Sequence, residues 1–293
     1  MKSNTQKYIA TIILFLLFLT LFFYLTFPTE ALKKRVESEI EKNTGFHAEI
    51  SEIAISPFLE LIVTDLNLEK KEKDINLKID KLKIKPSIFS ILLDKKSFPF
   101  DADIGKGKII GTLVLASKTN SLDAIKADIS NIHTDLITTF TKSGKDSPEF
   151  DGSINGKLNI IFADKKSGSP SGNFKFVSDN MSIKNLKFEG LKLPSYSELL
   201  VNLNGKIEKK NTVIDELSFS NNDFDLLLIG SMPILWDIKK GGKLDLSLNL
   251  SFKSDAAKMG LLQAFMKKET DGSLSAKIAG TPSKPKFVKS EKL

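Results

Sequence analysis

Gly242–Lys253 reads GKLDLSLNLSFK, in which Leu244, Leu246, Leu248, Leu250 and Phe252 alternate with Lys243, Asp245, Ser247, Asn249 and Ser251. Successive side chains of an extended chain point to opposite sides, so the five apolar residues share one face and the polar ones share the other. A strand with one dry and one wet side belongs to an antiparallel sheet that buries a single face. Leu244, Leu246, Leu248, Leu250 and Phe252 are therefore the candidate lining of an apolar groove.

The same period runs through most of the chain. Upstream, Ile50 is followed by a shift and then by Ile53 and Ile55, and Pro57 breaks the run. Leu61 and Val63 give way to Leu66 and Leu68, while Ile75, Leu77 and Ile79 are followed by Leu82 and Ile84, displaced by one residue as in a β-bulge. Further strands are expected at 108–117, 153–163, 173–178, 181–188, 199–208, 213–220, 223–230 and 273–279. Glycine-led starts at Gly107, Gly152 and Gly272 hint at a repeated meander without a fixed period. Helices are expected at 86–93, where Pro86 opens the first turn, at 134–141, and at 255–268, whose Met259, Leu262, Phe265 and Met266 share one side. Segments 142–148 and 165–172 read as flexible loops, and the tail from Thr281 as extended and then frayed.

The other end of the chain obeys a different pattern. Tyr8–Phe27, YIATIILFLLFLTLFFYLTF, has no charge and is almost wholly apolar. At about 1.5 Å per residue, one such helix crosses a hydrocarbon core of about 30 Å. A signal peptide fits less well, because the apolar run is long and FPTEALKK offers no small-x-small cleavage site. Lys2 and Lys7 precede the run and Lys33, Lys34 and Arg35 follow it; we place the N-terminus in the cytoplasm, since large domains translocate largely regardless of charge. Beyond Pro28, Thr29 is the expected N-cap of an amphipathic helix from Glu30 to Asn43. Its stripe is Leu32, Val36 and Ile40, and Gly45 is its stop.

Composition narrows the functional classes. The chain has 293 residues, a net charge of +7 and no cysteine, which excludes disulfides, Cys-ligated metals and thiol catalysis. Arg35 is the only arginine among 43 basic residues. Nucleic-acid readers rely on arginine forks and stacked aromatics, so the lysines read as the wet faces and edges of strands. His47 and His133 lie far apart without metal-ligand spacing, and no nucleophile elbow, phosphate loop, dinucleotide fingerprint or zinc-protease motif is present. Trp236 reads as a packed hairpin residue. No catalytic, cofactor-binding or metal-ligating residue is singled out, and the expectation is a non-enzyme.

The order of parts carries a resemblance. The anchor, Phe27-Pro28, the Leu32, Val36, Ile40 helix, Gly45 and the series Ile50, Ile53, Ile55, Pro57, Leu61, Val63, Asp65, Leu66, Leu68 resemble the opening of AsmA-like envelope proteins. Within that group the chain is most similar to the type II secretion system protein N family (GspN), as are NTVIDELSFSNNDFDLLLIGSMPI and the ending GSLSAKIAGTPSKPKF. The resemblance implies an inner-membrane-anchored periplasmic accessory of the secretion machine, with no catalytic residues to carry over. Its wider group implies lipid binding or transfer in outer-membrane biogenesis as the alternative.

The expected organisation is a cytoplasmic start (1–7), a transmembrane anchor (8–27), an amphipathic capping helix (28–45), a periplasmic β-domain (46–280) and a flexible tail (281–293). The fold class is mostly β with a few short helices: a long, curved antiparallel sheet, open as a groove or half-barrel. Expected partners are the membrane, other envelope or secretion-system proteins, and phospholipid as a candidate groove occupant, without nucleic acid and without a cofactor.

Overall fold

The computed structural model describes residues 26–56, 60–70, 75–85, 96–116, 121–135, 148–162, 169–185, 187–188, 191–192, 194–208, 211–234, 242–253, 266–282 and 284–289, with Tyr8, Thr11, Ile12, Leu14, Phe15, Phe18 and Phe22. The chain is mostly β and antiparallel, and its strand order is linear and unclosed. It divides into two compact units, Met1–Gly105 and Lys106–Leu293, where the sequence pattern offers one uninterrupted strand series.

In the first unit, helix α1 (Thr29–Thr44) precedes the meander β1 (His47–Ile55), β2 (Leu61–Lys70), β3 (Ile75–Ile84) and β4 (Lys96–Ile104). Gly45 ends the helix in the left-handed region (φ 69°), and its N–H donates to the Glu41 carbonyl at 2.9 Å. The expected N-cap is corrected: Pro28 holds that position and Thr29 is already helical, with no side-chain cap. Leu32, Val36 and Ile40 pack on Ala48, Ile50, Ile53, Val63 and Leu66, so the apolar stripe lies on the sheet. At the edge strand β1, Glu37 Oε1 accepts the Ile50 N–H at 2.8 Å and Lys33 Nζ donates to the Ser51 carbonyl at 3.3 Å. A helix that meets edge groups in this way blocks pairing with a further strand.

The three shifts read from the sequence fall on one line across this sheet. Ile50, Leu66 and Ile79 pair in register, as do Glu52, Thr64 and Lys81, leaving Ser51, Asp65 and Asp80 unpaired between them. All three strands exchange faces together with no net register change, so the expected bulge in one strand is corrected to a shared reversal. A bulge in β3 alone would set its faces out of step with β2. Asp65 carries the turn with φ 50°, and Lys78 Nζ lies 2.9 Å from its carboxylate and 3.7 Å from that of Asp80.

The second unit comprises β5 (Gly107–Leu115), β6 (Leu122–His133), β7 (Glu149–Asp151), β8 (Ser153–Ile161), β9 (Ser171–Lys184), β10 (Lys187–Phe188), β11 (Leu191–Lys192), β12 (Tyr196–Glu208), β13 (Asn211–Ser220), β14 (Phe224–Pro233), β15 (Leu244–Phe252), β16 (Lys267–Lys268), β17 (Leu274–Thr281) and β18 (Lys284–Lys289). The main path is β5-β6-β8-β9-β12-β13-β14-β15-β17. β7 pairs with β9, β16 and β18 pair with β17, and β10 and β11 form a separate ribbon. Irregular pairings at Ile129/Ile132, Tyr196/Leu199, Leu199/Val201 and Ile214/Leu217 interrupt the ladder; Asn131 (φ 52°) sits in the first of them and Glu198 (φ 55°) in the second. Such bulges bend and twist a sheet locally.

Several expectations change here. Segments 173–178 and 181–188 are joined in one long strand, β9, which ends at Lys184. Lys267 and Lys268, expected in the last turn of a helix, are strand residues paired with Ser275 and Leu274. Residues 284–289 of the expected tail are an ordered strand on β17. Ser171 and Gly172, expected in a loop, open β9. Helices 86–93, 134–141 (beyond Asp135) and 255–265, the loop 142–147 and Trp236 lie outside the described residues. Among the described residues no helix is long and apolar enough to cross a membrane; most of 8–27 lies outside them. The described positions of that stretch are helical, with Tyr8, Ile12, Leu14, Phe15, Phe18 and Phe22 from 55% to 71% exposed.

The β13–β14 hairpin is closed by side chains. Asn221 Oδ1 accepts the N–H groups of Asp223 (2.9 Å) and Phe224 (3.0 Å). Lys253 Nζ lies 2.7 Å from Asp225, which also accepts the Ser220 hydroxyl. The Lys253 hydrogen bond, then that of Ser220, holds the Asp225 carboxyl below its ordinary value. A depressed carboxylate contributes stability that is present above its unfolded pKa and lost as pH falls through the folded one. Asp225→Asn should therefore lower the thermal midpoint at pH 6, by no more than about 4 °C for so exposed a pair, and the gap from wild type should narrow toward pH 3. Thermal scans at the two pH values check this.

Candidate functional site

The main-path strands of the second unit contribute alternate residues to one apolar face, and the pairing registers align them in rows. Leu244, Leu246 and Leu250 are 9%, 7% and 5% exposed, whereas Leu248 and Phe252 are half-buried; Asp245, Ser247 and Asn249 face solvent. Leu246 lies between Gly230 and Ile278, Leu248 between Leu228 and Ala276, and Leu250 between Leu226 and Leu274. All five expected lining residues thus share one face, but at unequal depth.

Followed across the sheet, the Leu248 row runs through Leu228, Leu217, Leu203, Phe176, Gly156, Ile129 and Ile109. Every one of these residues is half-exposed. The flanks are tighter. On one side Leu250, Leu274, Phe224, Leu199, Met181, Ile183 and Met266 form a buried cluster; Tyr196 stands edge-on to Phe224 at 5.1 Å, and burial raises its phenol pKa. On the other, Ile160, Ile207 and Ile234 form one buried cluster and Ile214, Leu244 and Leu246 another. A row of large apolar side chains left half-open between packed flanks is a shallow apolar trough.

Glycines shape its floor. A Cβ on Gly205 would lie 2.7 Å from the Phe174 ring, and one on Gly156 2.3 Å from the ring of Phe176. The rings lie over the glycines of neighbouring strands, so a side chain there would displace them. Phe174 and Phe176 stack at 6.2 Å.

Cross-strand ion pairs such as Lys157–Asp128 (2.9 Å) and Lys277–Asp245 (3.0 Å) lie on the opposite face. On the apolar face, the buried Ser178 and Thr212 hydroxyls have no hydrogen-bond partner. The histidines are not brought together. His47 opens β1, 3.7 Å from Glu41, and His133 ends β6, between Asp135 (3.1 Å) and Asp151 (3.3 Å). Among the described residues no group of His, Asp or Glu is placed to hold a metal ion. What the arrangement can do chemically is hold an apolar chain.

Phe174, Phe176, Leu203, Leu217 and Leu228 were not singled out from the sequence. Their alternation is visible within each strand, but the row exists only once seven strand-pairing registers are known. Comparison of the chain with known protein families, curated proteins and solved structures finds no match.

Proposed function

We propose that the chain is a non-enzymatic, membrane-anchored envelope protein whose second unit holds a lipid acyl chain along the half-exposed row from Ile109 to Leu248. The observation that carries this reading is the row itself: seven large apolar side chains on eight successive strands, each half-exposed, with buried clusters to either side. At about 4.8 Å per strand it is about 34 Å long, more than the roughly 15 Å of an acyl chain filling one leaflet. Large apolar area left open in a folded domain favours an apolar occupant. The AsmA-like resemblance of the opening and ending supports the same reading.

The test is mass spectrometry of phospholipid retained by the full chain after detergent exchange. Retention is expected, and Leu217→Glu, in the middle of the row, should reduce it several-fold. Retention no greater than that of an unrelated single-pass protein would overturn the proposal.

The reading as a type II secretion accessory has one structural observation in its favour. Leu227 and Ile229, on the outer side of β14, are exposed opposite Asn249 and Ser247, positions that alternation otherwise reserves for polar residues. Protein contacts use such patches. This role predicts that deletion impairs secretion of folded exoproteins and leaves lipid composition unchanged.

A further inference from the structure

The first unit also holds an open, mainly polar hollow of about 540 Å³, lined by Glu30, Lys33, Lys34 and Glu37 of α1 and by Glu49, Ile50, Ser51, Asp65 and Asn67 of β1 and β2. It lies where the three strands reverse their faces. Two linings are committed to structure: Glu37 to the Ile50 N–H and Lys33 to the Ser51 carbonyl. Asp65 is paired with Lys78. Among the described residues Glu30, Lys34 and Glu49 have no ion-pair or hydrogen-bond partner.

We propose that this notch seats the phosphoethanolamine headgroup of a phospholipid from the bilayer that holds the anchor. The proposal rests on the membrane reading of Tyr8–Phe27. Two arguments carry it. The first is charge: carboxylates and a lysine stand free in one cavity, which suits a ligand with an ammonium at one end and a phosphate at the other. Glu30 and Glu49 accept from the ammonium, and Lys34 donates to the phosphate. An anion alone would face the carboxylates, and a cation alone would leave Lys34 unused. The second is position: α1 begins two residues after Phe27, so its lining residues lie within about 15 Å of helix rise from the end of the anchor. Choline is disfavoured by the same chemistry, because its trimethylated nitrogen keeps the charge but has no N–H to donate.

The full-length protein is reconstituted in nanodiscs containing equal phosphatidylethanolamine, phosphatidylcholine and phosphatidylglycerol, and the lipid it retains on release is measured by native mass spectrometry. Phosphatidylethanolamine should exceed phosphatidylcholine about tenfold, the size of one charge-assisted hydrogen bond. The double variant Lys34→Ala, Glu49→Gln should abolish the preference; both positions are exposed, so its thermal midpoint should match wild type. Equal retention of the three lipids, or a preference unchanged in the variant, overturns the proposal. Displacement of the lipid by free phosphoethanolamine at equal concentration overturns it in favour of a soluble ligand. Carbonate extraction distinguishes the two failures: an extracted protein sinks the anchor, whereas a pelleted protein without lipid preference sinks only the headgroup site.

Discussion

Leu274→Ala is expected to destabilise the second unit by about 2–5 kcal/mol, lowering the thermal midpoint by roughly 5–15 °C. Leu274 is 1% exposed and packs in one cluster with Leu199, Leu250, Met181 and Met266, so truncation leaves a cavity that strands fixed on both sides cannot close. Leu248 is on the neighbouring strand and the same face, yet half-exposed. Its truncation to alanine removes atoms that already touch solvent and should cost less than about 1.5 kcal/mol. Differential scanning calorimetry of the pair reads both values. Equal losses would mean that the Leu248 row is packed as tightly as its flank, and the trough would no longer be a candidate binding surface.

Removal of residues 1–27 should transfer the protein from the carbonate-resistant membrane pellet to the soluble fraction. Leucine, isoleucine and phenylalanine each favour insertion by about 0.3–0.6 kcal/mol at a helix centre, and Tyr8–Phe27 is built mostly of these. The same side chains in water would be a large exposed apolar surface, which soluble domains avoid. The fold should survive, because α1 is held to β1 by its own Leu32, Val36 and Ile40. The expected result is a soluble, folded protein whose circular dichroism shows an undiminished β signal. A truncated chain that still pellets would point to a second membrane contact.

Elements were legible where one local signal sufficed. Helix α1 follows from the spacing of Leu32, Val36 and Ile40 and the glycine stop, and β15 from an unbroken alternation of ten residues. β6 escaped because its inward positions include Ala127 and its alternation slips at Asn131, where the chain bulges. β4 carries Pro99, which argues against a central strand. β18, with Lys284, Pro285 and Lys286, has the composition of a frayed end and is ordered by pairing with β17.

The shifts at Ile50/Ile53, Val63/Leu66 and Ile79/Leu82 were visible as three separate irregularities. Their alignment into one reversal required the register of three strands, as did the polar notch beside α1.

By itself the sequence determined the antiparallel β character, the apolar N-terminal stretch, the capping helix and the face on which each residue of Gly242–Lys253 lies, because these depend on side-chain period along one segment. Only the tertiary structure decided depth. Leu246 and Leu248 are two residues apart in one pattern, but Leu246 is buried with Ile214 and Leu244, while Leu248 belongs to the row that stays half-open. Burial is set by side chains from strands distant in sequence, and no local period encodes which of them will lie alongside.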